Sequence, residues 1–332
     1  MPTRINIIKI GWDLGGAHIK YCVESQTSNV IWYDIIDFDF WKDYTKLSEL
    51  IVTICKKYHK KGSSVVNYFT MSAEMCDCFD NRRAGVKYIL NQIKKSKYNS
   101  YIFSKHGLSK LNSKDNVPLD EVGSYNWYAS ALYVSKLIDN VILIDFGSTT
   151  CDISIIKNGK ILNRRTSDIT GMSLKELLYT GCSRTPIYAH ISEIRFKNRI
   201  YDIIPENFSS MSDINIILGK LNGREIYSKS SDGSSHSLSQ SYKRVSRSFG
   251  FDYDKSKKVL INNLCLKIYN NQVDLIRKTI CFHRDKYFKR SKFVVVGLGL
   301  GSKIICDMCM QNKYDYLDIR DILNSTIVNG DY

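Results

Sequence analysis

The chain has 332 residues, 43% of them apolar, with 48 Lys and Arg against 33 Asp and Glu, a formal charge of +15. That length supports two lobes, each with its own core, and is too great for one compact lobe. No apolar run approaches the roughly 20 residues of a membrane span, Met1 to Ile10 lacks signal-peptide order, and ten cysteines without framework spacing argue against a disulfide scaffold.

The expectation is a cytoplasmic protein with free thiols and no membrane partner. The positive charge is scattered through a chain rich in Lys, Asn, Ile and Tyr, and its best run, Lys56, Lys57, Lys60 and Lys61, reads as a solvated helix end. No specific nucleic-acid partner is therefore expected.

In chain order, a strand over Ile5–Ile10 runs into Gly11-Trp12-Asp13-Leu14-Gly15-Gly16, and extended stretches follow at Ile19–Glu24 and Val30–Phe38, an antiparallel meander. A helical pattern covers Trp41–Lys60, then a buried strand Ser64–Met71, a helix Asn81–Lys95 and a short strand Tyr101–Phe103. After a loop with Pro118 and Gly123 and a helix over Tyr125–Leu137, the plan restarts: Val141 to Ser148, Cys151–Lys157, then Lys160–Arg165. Asp13 is followed by Lys20 seven positions later and Asp145 by Asp152 seven later, so a charged residue returns at the same offset in both copies. The Ser/Asn/Gly-rich stretch from about residue 170 to 250 reads as an insertion with short helices. It is followed by a helix Lys255–Lys278, a strand Phe293–Val296, the glycine turn Gly297-Leu298-Gly299-Leu300-Gly301 and a final helix pair.

The two hairpin tips carry the chemistry. Glycines at Gly15, Gly16 and Gly147 are expected to turn with positive φ and to let backbone N–H groups approach an anion, while Ser148, Thr149 and Thr150 add hydroxyl donors. An aspartate at each strand end would repel bare phosphate, so Asp13 and Asp145 point to Mg²⁺ held between through water. Lys20 would reach back to a phosphate oxygen, Gly297, Gly299 and Gly301 form a further approach turn, and Arg184 could bind an anion in a fork. Glu74 and Asp77, at the end of a buried strand, are candidate general bases. Cys76/Cys78 and Cys306/Cys309 read as small buried hydrophobes rather than a zinc set.

These motifs resemble the hydantoinase/oxoprolinase-like family of the sugar-kinase/heat-shock/actin superfold, and within it the tetrahydromethanopterin-linked one-carbon transfer pathway proteins. The likeness rests on Gly11 to Ala17, on Cys76-Asp77-Cys78-Phe79 with Arg82, and on Ile144 to Ile153. It extends to Tyr179-Thr180-Gly181 with Arg184-Thr185-Pro186, to Glu206-Asn207-Phe208 and to Asp232-Gly233. The chain departs from the family pattern at His18-Ile19 (Asn-Thr), Ala73 (Gly) and Cys151 (Thr). The resemblance implies an α/β fold of two RNase H-like lobes with a central cleft and an insertion in the second lobe, divided at about residue 138. It also implies methanofuran synthase chemistry, in which a tyramine-derived phenol displaces diphosphate from an aminomethylfuran-methyl diphosphate. The alternatives are an ATP-dependent small-molecule kinase or an oxoprolinase-type hydrolase using the same loops for ATP, and a non-catalytic nucleotide-binding regulator.

Overall fold

The computed structural model describes residues 6–25, 31–60, 62–111, 117–289 and 291–323. The chain divides into two compact units, with the division between Ser130 and Ala131.

In the first unit β1 (Asn6–Leu14) alternates apolar and polar residues, and Ile8, Ile10, Trp12 and Leu14 are buried. It pairs antiparallel with β2 (His18–Ser25), which pairs antiparallel with β3 (Ile31–Asp37). A crossover through α1 (Phe40–Asp43) and α2 (Leu47–Tyr58) returns the chain to β4 (Ser63–Met71), parallel to β1. The expected single helix is broken by the 3-10 turn Tyr44–Lys46. α3 (Arg82–Lys95), capped by the Asn81 side chain accepting from Ala84 N–H at 2.9 Å, leads to β5 (Asn99–Ser104), parallel to β4. Leu47, Ile51 and Ile54 of α2 and Val86, Ile89 and Ile93 of α3 join the strands' buried face in one core. A further strand, β6 (Gly107–Lys110), pairs with β5 through a turn at Gly107, φ +100°. Four residues are too few for a readable alternation.

The second unit repeats the plan. After α4 (Asn126–Ser135), within which the division falls, β7 (Val141–Phe146) pairs antiparallel with β8 (Cys151–Lys157), and β8 with β9 (Lys160–Ile161). The expected extension of this last strand to Arg165 does not form. The backbone N–H groups of Arg164 and Arg165 instead donate to the carboxylate of buried Glu176. The inserted region supplies α5 (Asp168–Ser173), β10 (Leu177–Leu178) on the edge of β8, a separate hairpin of β11 (Glu193–Phe196) and β12 (Arg199–Asp202), and α6 (Met211–Ile217) and α7 (Leu238–Ser248). The 26-residue α8 (Lys258–His283) buries a stripe from Ile261 through Ile268, Gln272 and Ile276 to Ile280. It returns the chain to β13 (Val294–Leu298), parallel to β7, and α9 (Ser302–Gln311) follows. Where a second terminal helix was expected directly after α9, the chain first forms β14 (Tyr316–Asp318), because the edge of β13 is open to parallel pairing there.

Each unit therefore carries an antiparallel hairpin followed, across helices, by parallel strands, in the orders β3-β2-β1-β4-β5-β6 and β10-β8-β7-β13-β14. This is the RNase H-like lobe of the sugar-kinase/heat-shock/actin superfold, present twice. Among the described residues no helix is long and apolar enough to cross a membrane. All ten cysteines are unbridged.

Candidate phosphate-binding site

The two hairpin tips share one geometry. Asp13 lies directly across from Lys20 and Asp145 directly across from Asp152, so the common offset of seven is a common register. Gly15 N–H closes its turn on the His18 carbonyl at 3.1 Å, and Gly147 N–H closes its own on the Thr150 carbonyl at 3.0 Å. The tip glycines do not adopt the expected positive φ, since Gly15, Gly16 and Gly147 all lie outside that region. Space is the reason for Gly15 and Gly16 instead. A Cβ on Gly15 would lie 2.8 Å from the His18 carbonyl oxygen, and one on Gly16 would lie 3.0 Å from Cys76 Sγ, while Gly147 faces only ordinary contact at 3.5 Å.

At the first tip Lys20 Nζ donates to Asp13 Oδ2 at 3.0 Å, so the lysine stands on the aspartate, and Thr70 Oγ1 lies 3.5 Å from Asp13 Oδ1. Beyond β4, Glu74 is fully buried. It accepts from Ser124 Oγ at 2.5 Å and faces Arg82 Nε at 3.6 Å, and Arg82 also holds the Gly123 carbonyl. A Cβ on Gly123 would press on Glu74 Oε1 at 2.7 Å, which fixes this carboxylate against the 123–124 segment. Asp77, three residues on, is exposed. Of the two candidate bases, only Asp77 is open to solvent.

At the second tip Asp145 is half-buried at the end of β7, and Asp152 opposite it is held by Arg165 at 2.6 Å and by Thr150 Oγ1 at 3.2 Å. Ser148 is half-buried and Thr149 exposed. The turn after β13 closes on this hairpin. Gly301 N–H donates to the Phe146 carbonyl at 2.8 Å, and a Cβ on Gly299, φ +83°, would lie 2.6 Å from Asp145 Oδ1. Gly297 and Gly301 have a packing reason, since side chains there would run into the Tyr316 hydroxyl and the Phe146 ring. Of the three, Gly299 is the one whose nearest neighbour is the aspartate.

The segment Gly181–Arg184 wraps the back of the loop. Cys182 N–H donates to the Gly147 carbonyl at 3.0 Å and Arg184 N–H to the Ser148 carbonyl at 2.9 Å, while the Arg184 side chain is exposed. Burial pushes the Cys182 thiol up to about 12, so it stays protonated, and Sγ lies 3.2 Å from the Gly147 carbonyl. The departure at Cys151 falls on a fully buried core position, and Ala73 is likewise buried.

Sequence reasoning missed the residues that hold this wrapping segment. Gln272, fully buried on α8, donates to Thr180 Oγ1 at 2.7 Å and to the Gly181 carbonyl at 2.9 Å, with His190 Nε2 3.0 Å from the same hydroxyl. Burial pushes His190 below its ordinary value and keeps it neutral. The available signal was a glutamine in the apolar stripe of α8. The Asp232-Gly233 motif joins a second buried network, in which Arg244 donates through Nε and Nη2 to Asp213 Oδ1 at 2.9 and 2.7 Å and through Nη1 to Asp232 at 3.1 Å. Burial works against the Asp232 charge, but hydrogen bonds from Ser234 and the Arg244 guanidinium hold its carboxyl well below the usual range.

Among the described residues no three His, Cys, Asp or Glu side chains converge as a metal cluster. The acidic groups at the tips are carboxylates, Asp13 at the first and Asp145 with Asp152 at the second, beside hydroxyl and backbone groups. That set suits a water-held Mg²⁺ accompanying a phosphate rather than a protein-caged metal.

A protein from Methanocaldococcus jannaschii named (4-{4-[2-(gamma-L-glutamylamino)ethyl]phenoxymethyl}furan-2-yl)methanamine synthase is 30% identical over 96% of this chain and 92% of its own length. The protein of the same name from Methanococcus vannielii is 30% identical over 58% of this chain and 86% of its own. Among solved structures, the ethanolamine utilization protein EutJ from Carboxydothermus hydrogenoformans aligns with 96% of this chain and 85% of its own, at 10% identity and a TM-score of 0.43. The model of the family described as hydantoinase/oxoprolinase matches residues 66–326, a span that includes Glu74, Asp77, the second hairpin and the glycine turn. With that match and a relative similar over nearly its whole length, the chain belongs to the hydantoinase/oxoprolinase family.

Proposed function

We propose that the protein is a methanofuran synthase-like transferase of one-carbon metabolism. In the reaction a phenol oxygen of a tyramine derivative attacks the methyl carbon of an aminomethylfuran-methyl diphosphate. The new C–O ether bond forms, the C–O bond to diphosphate breaks, the phenolic proton passes to a carboxylate and pyrophosphate leaves. The observation that carries the reading is the duplicated hairpin, with an aspartate at the same register position and the same turn-closing bond in each copy. The relatives' named product contains the phenoxymethylfuran ether that this displacement makes.

In this reading Ser148 and Thr149 donate to the departing diphosphate, the Thr150 hydroxyl is spent on Asp152, Gly299 leaves room beside Asp145, and Gln272 and Thr180 hold the wrapping segment in place. Mg²⁺ would be held through water by Asp145 and would supply charge neutralisation of the diphosphate, Asp13 being the matching carboxylate of the first hairpin. Lys20 offers a further point charge at the first tip. Asp77, exposed, takes the phenol proton, while Glu74 anchors the 123–124 segment.

The test is product formation from an aromatic-methyl diphosphate and a phenolic amine with no ATP present. Pyrophosphate is expected in equal amount to ether. An absolute need for ATP with stoichiometric ADP would instead establish the kinase or hydrolase reading.

Gly147 separates a ligand-binding role from turn chemistry. Its φ is not left-handed and a Cβ there meets only ordinary contact, so Gly147→Ala is expected to keep the melting temperature within about 2 °C. If the loop backbone approaches an anion closely, the same methyl weakens pyrophosphate binding in Mg²⁺ about tenfold, or 1.4 kcal/mol. A thermal melt reads the first outcome and calorimetric titration the second, and unchanged pyrophosphate affinity would leave the loop a turn only.

A further inference from the structure

A cavity of about 770 Å³ opens in the second unit between the Gly219–Glu225 turn, the start of α7 and the first turn of α9. We infer that it receives the amino-acid end, carboxylate and ammonium, of the phenolic substrate, an inference that rests on the synthase reading above.

Placement is the first argument. Lys303 lines the cavity, and it lies two residues after Gly301, whose N–H is bonded to the Phe146 carbonyl beside Asp145. Cavity and phosphate loop thus meet on one turn of α9, and a substrate reacting at the loop can extend into the cavity.

Charge is the second. Lys220, Arg224 and Lys303 line the cavity against a single carboxylate, Glu225. Lys220 is committed to Asp307 at 2.8 Å, whereas Arg224 and Lys303 are exposed and neither forms an ion pair with a described residue. Both are open to a carboxylate, and the guanidinium can grip it with two parallel bonds. Glu225 Oε2 accepts the Asn222 N–H at 3.1 Å as a cap, and a carboxylate has further lone pairs for an ammonium.

Shape is the third. A Cβ on Gly223 would run into the His236 carbonyl, and the His236 ring is 2.7 Å from the Ser228 carbonyl, so the turn that carries Arg224 is packed closely against the His236 segment. Among the described residues no Phe, Tyr or Trp lines the cavity. A nucleobase or the phenol ring would find no stacking face there, whereas a flexible charged tail needs none. The relatives' named product carries such a tail, a γ-L-glutamylamino group at the end remote from the furan.

The experiment compares the full-length protein with its Arg224→Ala/Lys303→Ala double variant by calorimetric titration, using the γ-glutamyl amide of tyramine, tyramine itself, inorganic pyrophosphate and ATP. Both side chains are exposed, and thermal melts are expected to match. The wild type is expected to bind the glutamylated phenol roughly tenfold or more tighter than tyramine, and the variant to lose that preference with tyramine and pyrophosphate unchanged. Retained preference in the variant overturns the inference. So does a selective tenfold loss of ATP, which would make the cavity a nucleotide site. Because binding is read without turnover, failure to form ether counts against the proposed reaction and leaves this result standing by itself.

Discussion

Asp145→Asn is expected to lower turnover about 10²- to 10³-fold while moving the melting temperature by no more than about 2 °C. Asparagine keeps the shape and the backbone pairing that sets Asp145 against Asp152 on one side and Leu298 on the other. The residue is half-buried at a strand end rather than locked in the core, so the fold does not depend on its charge. Asp152, by contrast, is tied to the nearly buried Arg165 at 2.6 Å, and its charge does serve the fold. What the substitution removes is the carboxylate beside Gly299, where a metal-accompanied diphosphate would gather charge. Single-turnover pyrophosphate release, with a thermal melt on the same preparation, separates the two effects. A folded variant with a wild-type rate would remove this loop from the chemistry.

Arg244→Met is expected to destabilise the second unit by about 3–5 kcal/mol, a fall in melting temperature of about 10 °C. Arg244 is fully buried, and Asp213, which takes two of its hydrogen bonds, is 1% exposed. Methionine fills much of the volume but leaves the Asp213 charge without its partner, and the cost of an uncompensated buried carboxylate exceeds the worth of the pair itself. The double variant Arg244→Met/Asp213→Leu should recover much of the loss, since it removes both charges. Chemical denaturation of the three proteins measures this, and a single variant within about 1 kcal/mol of wild type would show that the network carries little of the stability.

Much of the framework was legible in the chain because it is written locally. Alternation in Asn6–Leu14 and the apolar run Val141–Phe146 mark strands, and an antiparallel hairpin with a short turn must bring residues seven apart face to face, as the pairs Asp13/Lys20 and Asp145/Asp152 show. The short strands β6 and β14 were not legible, because three or four residues carry too little pattern and sheet-edge pairing decides them. The backbone of the tip glycines was misread for a related reason. A glycine can be required by a left-handed φ or by a crowded neighbour, and the residue letter is the same for both.

By itself, then, the sequence determined two copies of a hairpin with an aspartate at each strand end, since periodicity and offset are properties of contiguous residues. Only the tertiary structure decided that Glu74 is sealed while Asp77 is open, that Gln272 reaches Thr180, and that Arg244 neutralises Asp213. Those outcomes depend on which side chains are driven together out of water across 31 to 92 residues of chain, and burial of that kind is set by packing of whole elements rather than by any local pattern.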